Sequence, residues 1–270
     1  MARLSRIFRP AFAALAALYG LSPGSARAGE AACWFEGGQL VAPASVLGVT
    51  GDFVIDTGAP RTLLHDTRAQ AAGWAATKLA GDVRFAGVRW RGRAVEVADL
   101  DARNIAMPTP IAGVIGADLL SAYVVDVRFT PCRLALWPAA RAPSKAAAVS
   151  MPMRSRKGLA IVTAAVSDGT SARRGAFVAA TGQDLAVRLA DAAASVPSAE
   201  RPQELYRGGI GAARLTALSF GDAVQTEVLA GLLRPGEEAR GALGAIGAPA
   251  MSAHAWRFDF PRRRLSMLKE

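Results

Sequence analysis

A single acidic residue follows an apolar run near the start of the chain, where a strand would end. Residues 53–55 are Phe, Val and Ile, and Asp56 comes directly after them, before Thr57 and Gly58. The apolar run predicts a buried strand, and Thr and Gly favour a turn. A carboxylate in that position is costly unless it is paired or used. The plain alternative is a solvated Asp at a strand exit.

The chain nearly repeats this stretch further on. Residues 177–179 are Phe, Val and Ala, and Thr181 and Gly182 follow in the places of Thr57 and Gly58, an offset of 124 (177 against 53). Ala180 takes the position of Asp56. A second pair of similar stretches, residues 113–122 and 244–253, has an offset of 131 (244 against 113). Two pairs of similar stretches with nearly equal offsets predict an internal duplication in which only one copy keeps its acid.

The first 28 residues have the pattern of an export signal. Three Arg form a basic head, an apolar run covers residues 11–21, and small residues stand at the end of the segment, before Gly29. This pattern predicts cleavage after Ala28 and a periplasmic or secreted protein. The alternative, a membrane anchor, would need about 20 apolar residues, roughly twice the length of this run. We therefore expect no membrane span after cleavage.

Charge and composition exclude some classes of partner. The whole chain has 32 basic and 22 acidic residues, and removal of four Arg with residues 1–28 leaves a net charge of +6. The remaining basic residues are scattered, and no recognisable nucleic-acid-binding module is present. We expect no nucleic-acid partner. Two Cys and two His far apart, Cys33, Cys132, His65 and His254, have no metal-ligand spacing, so we expect neither a metal nor another cofactor.

The two cysteines predict a disulfide bond. Cys33 and Cys132 are an even count in a chain expected to be exported, which favours a bridge over two buried free thiols. The bridge would close a loop of about 100 residues, a constraint of up to about 4–5 kcal/mol in the chain-entropy model.

Short strands with turn residues between them predict a mainly β protein with short helices. Residues 139–150 are rich in Pro, Ala and Ser and are interpreted as a linker between two halves with the same order of elements. The expected organisation is a signal peptide at 1–28, a first lobe at 29–138, the linker, and a second lobe at 151–270. A short helix is predicted over residues 184–194, with Asp184 as its cap.

Two motifs resemble the signatures of retropepsin-like aspartic proteases. The first is an Asp-Thr-Gly-Ala turn with a Thr three residues further on, formed here by Asp56, Thr57, Gly58, Ala59 and Thr62. The second covers residues 114–120 and contains Asp118. Both occur in the family's order and at a similar separation. The resemblance covers residues 38–137 well and 159–268 more faintly, and is greatest to bacterial exported proteins with two such lobes.

The resemblance implies a two-lobed, all-β aspartic-protease-like fold with a cleft between the lobes and a peptide or protein substrate in it. In that family each lobe gives one Asp, and the two carboxyl groups share a proton because both cannot ionise so close together. The ionised Asp activates water and the protonated one binds the developing oxyanion. The Thr after each Asp ties the two turns together, which here implies Thr57 and Thr181. Gly58 would permit a tight backbone near the acids.

The second lobe departs from the family pattern at the decisive position. Ala180 stands where the second Asp would be, and Pro249 stands at the position of Asp118. Thr181 and Gly182 remain, so the turn could persist without the acid. The sequence therefore supports two hypotheses: an aspartic-type peptidase with Asp56 as its catalytic residue, or a protease-derived protein that binds peptides without cutting them. A homodimer that brings two Asp56 together would favour the first.

Other catalytic classes lack their motifs. No Gly-x-Ser-x-Gly elbow of a serine hydrolase is present. Residues 206–211 are rich in Gly but do not open a βαβ unit, which argues against a dinucleotide-binding loop. His65 and His254 are interpreted as packing or surface residues.

We expect the mature protein to begin at Gly29, because the signal peptide ends in small residues there. N-terminal sequencing of exported material checks this, and recovery of Met1 would contradict it.

Overall fold

The structure is a computed structural model, and it describes residues 29–105, 107–190, 212–233 and 241–269. The proposed signal peptide, the Gly-rich stretch 206–211 and the later part of the helix predicted over 184–194 lie outside the described residues.

The first lobe is built on one seven-stranded sheet. Its strands are β2 (Trp34–Glu36), β3 (Gln39–Val46), β4 (Val49–Ile55), β5 (Leu63–His65), β6 (Lys78–Phe85), β7 (Val88–Ala98) and β8 (Gly113–Ile115). Their order in the sheet is β2-β3-β4-β8-β5-β7-β6, and a further pairing of β3 with β6 closes the sheet on itself. Since β4 and β8 run parallel, both strands end at the same side of the lobe.

The second lobe repeats this arrangement. Its strands are β12 (Arg154–Arg156), β13 (Leu159–Ser167), β14 (Ala172–Ala180), β15 (Val187–Leu189), β16 (Ala212–Phe220), β17 (Ala223–Leu232) and β18 (Gly244–Gly247). The order β12-β13-β14-β18-β15-β17-β16, with β13 also paired to β16, is that of the first lobe. The duplication predicted from the two repeated stretches is present in the fold.

A third sheet joins the two lobes. Its strands are β1 (Gly29–Ala32), β9 (Val124–Phe129), β10 (Cys132–Trp137), β11 (Ala147–Pro152), β19 (Trp256–Asp259) and β20 (Arg264–Leu268), in the order β1-β10-β9-β19-β20-β11. Strand β9 closes the first lobe and β19 the second, and they pair antiparallel, with Trp256 opposite Val127. The segment 139–150, predicted as a linker, contains a 3-10 turn (Ala139–Arg141) and the beginning of β11.

The helices are short. They are α1 (Asp66–Ala71), α2 (Asp101–Asn104), α3 (Ala117–Leu120) and α4 (Ala248–Met251). Helices α3 and α4 follow β8 and β18 in the two lobes. The helix predicted over residues 184–194 is wrong in its described part, because residues 187–189 form strand β15. Asp184 is therefore not a helix cap.

Glycine opens both equivalent strands β8 and β18 for a steric reason. A Cβ atom on Gly113 would lie 2.2 Å from the carbonyl oxygen of Leu63, and one on Gly244 would lie 2.1 Å from that of Arg188. Real Cβ contacts are never so short, so each position admits only Gly with this backbone. The core behind these strands is apolar, with Phe53 and Phe177 fully buried at equivalent positions.

The predicted disulfide between Cys33 and Cys132 is formed, across a sequence separation of 99 residues. Cys33 lies between β1 and β2, and Cys132 begins β10. The bridge thus links the shared sheet to the first strand of the first lobe.

Replacement of both cysteines by Ala should lower the free energy of unfolding by up to about 4–5 kcal/mol, because the loop that the bridge closes is long. Urea unfolding of the oxidised wild type and the double variant measures the difference. The wild type with its bridge reduced is the control and should match the variant; equal stability of all three forms would contradict the prediction.

Candidate functional site

The equivalent turns of the two lobes interlock through their threonines. The hydroxyl of Thr57 donates to the carbonyl of Ala179 (2.7 Å), and the hydroxyl of Thr181 donates to the carbonyl of Ile55 (2.5 Å). Each hydroxyl also accepts the backbone N–H of the other threonine, both at 3.2 Å. Both threonines are fully buried. The four bonds form a symmetric connection that fixes one lobe against the other.

The strands and helices around each turn are also equivalent. In the first lobe the N–H of Ala117, at the start of α3, donates to the carbonyl of Ala59 (2.7 Å). In the second lobe the N–H of Ala248, at the start of α4, donates to the carbonyl of Gln183 (3.2 Å). Asp56 and Ala180 therefore occupy corresponding positions by structure as well as by sequence.

Asp56 is fully buried at the meeting point of the two turns. Its Oδ1 atom accepts the N–H of Gly58 (2.7 Å) and the N–H of Gly182 in the opposite lobe (3.2 Å). Its Oδ2 atom accepts Nη1 of Arg103 at 3.1 Å. A protonated carboxyl would need an acceptor for its own proton, and each of these three contacts is a donor. The surroundings of the Asp56 carboxyl group thus supply three donors to its two oxygens.

Both turn glycines are required by close approach. A Cβ atom on Gly58 would lie 2.3 Å from the Cβ atom of Ala180, and one on Gly182 would lie 2.6 Å from Oδ2 of Asp56. The space between the turns is therefore filled by Asp56 and Ala180 themselves. Gly58, predicted to permit a tight backbone near the acid, lies against Ala180 of the opposite turn.

Arg103 of α2 was not singled out by the sequence. Its side chain is 9% exposed, and Nη1 donates both to Asp56 and to the carbonyl of Gly182 (3.0 Å). Helix α2 is one turn long, so it has no hydrophobic periodicity from which burial of one side chain could be predicted. The only available signal was indirect: a buried carboxylate without a second acid requires some other partner.

Thr62 lies behind the turn and supports the second motif. Its hydroxyl donates to Oδ1 of Asp118 (2.9 Å) and accepts the N–H of Gly116 (3.2 Å). Burial raises the pKa of Asp118 above its ordinary value, although the hydrogen bond from Thr62 acts in the opposite direction. In the second lobe Pro249 stands at the position of Asp118 and cannot accept such a bond.

Asp184 lies in an ion pair rather than at the end of a helix. Its Oδ1 atom accepts Nε and Nη2 of Arg188 at 3.0 and 2.7 Å, and both side chains are almost fully buried. Arg188 also donates to the carbonyl of Leu232 (2.6 Å). The carboxylate of Asp184 is thus engaged within the second lobe.

Neither histidine contacts Asp56. His65 is buried, with Nδ1 at 2.7 Å from Asp66 and Nε2 at 3.3 Å from Asp101 at the start of α2. His254 is exposed. Within the described parts of the chain, no group of three or more His, Cys, Asp or Glu side chains could hold a metal ion.

Two β lobes with equivalent turns interlocked around a buried Asp define the aspartic-protease class of fold. Comparison with known proteins agrees. Residues 42–123 match the aspartyl protease family Asp_protease_2. The crystal structure of aspartic proteinase from Irpex lacteus is similar in fold, with a TM-score of 0.50, 14% identity, and coverage of 90% of this chain and 98% of that one. No curated protein sequence matches the chain.

The first lobe therefore matches an aspartyl protease family model over residues 42–123, and the chain as a whole has the two-lobed aspartic-proteinase fold. Of the helices in the described residues, none combines the length and apolar character that crossing a membrane requires.

Substitution of Thr57 or Thr181 by Val should each destabilise the protein by about 1–3 kcal/mol, because each removes a hydroxyl and leaves buried backbone groups without partners. The double variant should lose less than the sum, since the two residues share one network. Urea unfolding measures this. Thr163→Val, at an exposed position of β13, is the matched control and should be near neutral; a similar loss there would contradict the prediction.

Proposed function

We propose that this protein is an exported peptidase of the aspartic type, with Asp56 as the catalytic carboxylate that activates water for attack on a peptide bond. The observation that carries the proposal is the Asp-Thr-Gly turn of the first lobe: it holds a buried carboxylate on two backbone N–H groups and is locked to the corresponding turn of the second lobe. An extended peptide in the cleft between the lobes is the proposed substrate. Export is supported by the pattern of residues 1–28 and agrees with the disulfide.

The reaction balances with one carboxylate. Asp56 takes a proton from water as the water oxygen bonds to the peptide carbonyl carbon, and the carbonyl oxygen becomes negative. The same proton then passes from Asp56 to the peptide nitrogen as the C–N bond breaks, which leaves a carboxylic acid and an amine. Ala180 supplies no proton to the oxyanion, so the monomer should be slow: loss of one member of an acid–base pair reduces rates by about 10²–10⁴.

A second candidate function is peptide binding without cleavage. It is favoured by Ala180 at the second acid position and by the ion pair that Oδ2 of Asp56 makes with Arg103. A peptide could lie between the lobes in either case, and only the chemistry at the floor of the cleft would differ.

A homodimer that brings two Asp56 together is disfavoured by the position of the second lobe. Thr181 and Gly182 of the same chain already contact the turn of Asp56. A second copy could present its own Asp56 there only if the lobe-two turn moved away, which would break the bonds between the threonines. The proposed catalytic unit is therefore the monomer.

Ala180→Asp should raise the rate of peptide cleavage by the monomer at least tenfold, because it restores an acid at the position that faces Asp56. Digestion of a peptide library by the mature protein, read out by mass spectrometry, measures this. Asp56→Asn should abolish cleavage in either background. Ala180→Asn, which adds a side chain of the same size without the acid, is the matched control and should not raise the rate.

The remaining outcomes decide between the two functions. Absence of cleavage by wild type and Ala180→Asp, together with measurable binding of library peptides, would favour the binding protein. Strong cleavage by a proven monomer, abolished by Asp56→Asn, would show that another group already replaces the second acid.

A further inference from the structure

The site around Asp56 contains a side chain that the two-acid mechanism does not use. In a two-acid site the partner of each carboxylate is the other carboxyl group with the shared proton. Here that partner is absent, because Ala180 occupies the equivalent position. A buried carboxylate still needs compensation, since transfer of an isolated charge out of water is strongly unfavourable. Arg103 provides it from the first lobe itself.

The contacts of Arg103 join the acid to the opposite lobe. One nitrogen, Nη1, donates to Oδ2 of Asp56 at 3.1 Å and to the carbonyl of Gly182 at 3.0 Å. Gly182 in turn donates its N–H to Oδ1 of Asp56. Arg103, Asp56 and Gly182 thus form a hydrogen-bonded ring that holds both carboxylate oxygens against the turn of the second lobe. The side chains of the ion pair are 9% and 1% exposed, so water screens their attraction only weakly.

The segment that carries Arg103 is itself fixed in place. The backbone carbonyl of Arg103 accepts Nε2 of Gln39, a fully buried residue at the start of β3. Asp101, at the start of α2, contacts Nε2 of the buried His65. Asn104 accepts the N–H of Ile111 through its side chain (2.9 Å). These three contacts hold the helix that carries Arg103 in place independently of the bond to Asp56.

The chemistry of an Asp–Arg pair differs from that of an Asp–Asp pair. Two neighbouring carboxyl groups must keep one proton between them, so one of them is neutral when the other acts as base. A guanidinium group remains charged and only donates, so it stabilises the anion and needs no shared proton. Its bond to Oδ2 also fixes the direction of the carboxylate, which must accept a proton from the attacking water.

We propose that Arg103 is a positioning residue of this site and takes over from the missing second acid, holding Asp56 as an oriented carboxylate and fastening it to the lobe-two turn. This inference rests on the proposed peptidase function. Arg103 acts through Asp56 and takes no proton in the reaction.

The test compares peptide cleavage by the full mature wild type, Arg103→Gln and Arg103→Lys. Arg103→Gln should lower kcat on the order of tenfold or more with KM little changed, because the base loses its orientation while the cleft does not change. Arg103→Lys keeps a cation at the position and should recover part of kcat. Arg257→Gln is the control: Arg257 pairs with Asp126 in the shared sheet through two hydrogen bonds, away from Asp56, and its loss should leave kcat unchanged.

Thermal unfolding of the same proteins tests the pairing without any activity. Asp56→Asn and Arg103→Gln should each lower the melting temperature, and the double variant should lose less than the sum, since each single change leaves the other partner uncompensated. Additive losses would overturn the pairing.

The kinetic outcomes separate the inference from the proposed function. A rise in kcat in Arg103→Gln would overturn the inference, because Arg103 would then block Asp56 instead of positioning it. If Arg103→Gln lowers kcat no more than Arg257→Gln does, the inference is also overturned, because the loss of kcat would then reflect a general effect on stability. If wild type, Ala180→Asp and all Arg103 variants fail to cleave any peptide, the proposed function fails, and the melting temperatures alone decide whether Arg103 holds Asp56.

Discussion

The structure depends on the compensation of one buried negative charge. Asp56 lies where the chain leaves a buried strand, between two lobes and out of contact with solvent. A carboxylate there is tolerated only if donors replace the water that it has lost. Three donors do so, and they come from three places: the turn of Asp56, the opposite turn, and helix α2. The packing of the two lobes, the turn glycines and the position of α2 can each be understood as a condition for bringing these donors to the same carboxylate.

This constraint explains why the second lobe keeps its turn without its acid. Thr181 and Gly182 provide bonds that the first lobe cannot make for itself: the hydroxyl of Thr181 satisfies the carbonyl of Ile55, and the N–H of Gly182 satisfies Asp56. Replacing Thr181 by a residue without a hydroxyl would remove the donor to the carbonyl of Ile55, and any side chain at position 182 would clash with Asp56. The side chain at position 180, by contrast, makes no hydrogen bond that the fold requires, and Ala fills the space against Gly58. The turn is therefore a structural need of the first lobe, and only the acid was dispensable.

Local sequence patterns predicted most of the fold and the two turns of the candidate site, but not the partner of Asp56 on helix α2. The repeated stretches predicted the duplication because a strand, a turn and the spacing of glycines are each determined by a few neighbouring residues. The link between Thr57 and Thr181 was predicted from the resemblance to a family. The contacts of Arg103 could not be predicted, because they depend on how a one-turn helix is packed against β3 and against His65. Asp184 was misread for the same reason. A polar residue before an Ala-rich stretch suggests a helix cap, and only the structure shows that Arg188 is its partner.

Ala180 and Arg103 are best understood together as one change in the charge balance of the site. Two carboxyl groups at this point carry a single negative charge, since they share a proton; Asp56 with Arg103 carries none. Loss of Arg103 alone would leave the buried site with one negative charge, whereas a second acid beside the arginine would keep the site neutral only if the two carboxyl groups shared a proton. An acid restored at position 180 could therefore either share a proton with Asp56, as in a two-acid site, or pair with the guanidinium group of Arg103. The partner that the new acid takes decides whether the site behaves as a two-acid centre or as a carboxylate held by a cation. Position 103 is therefore as important to the proposed site as position 180.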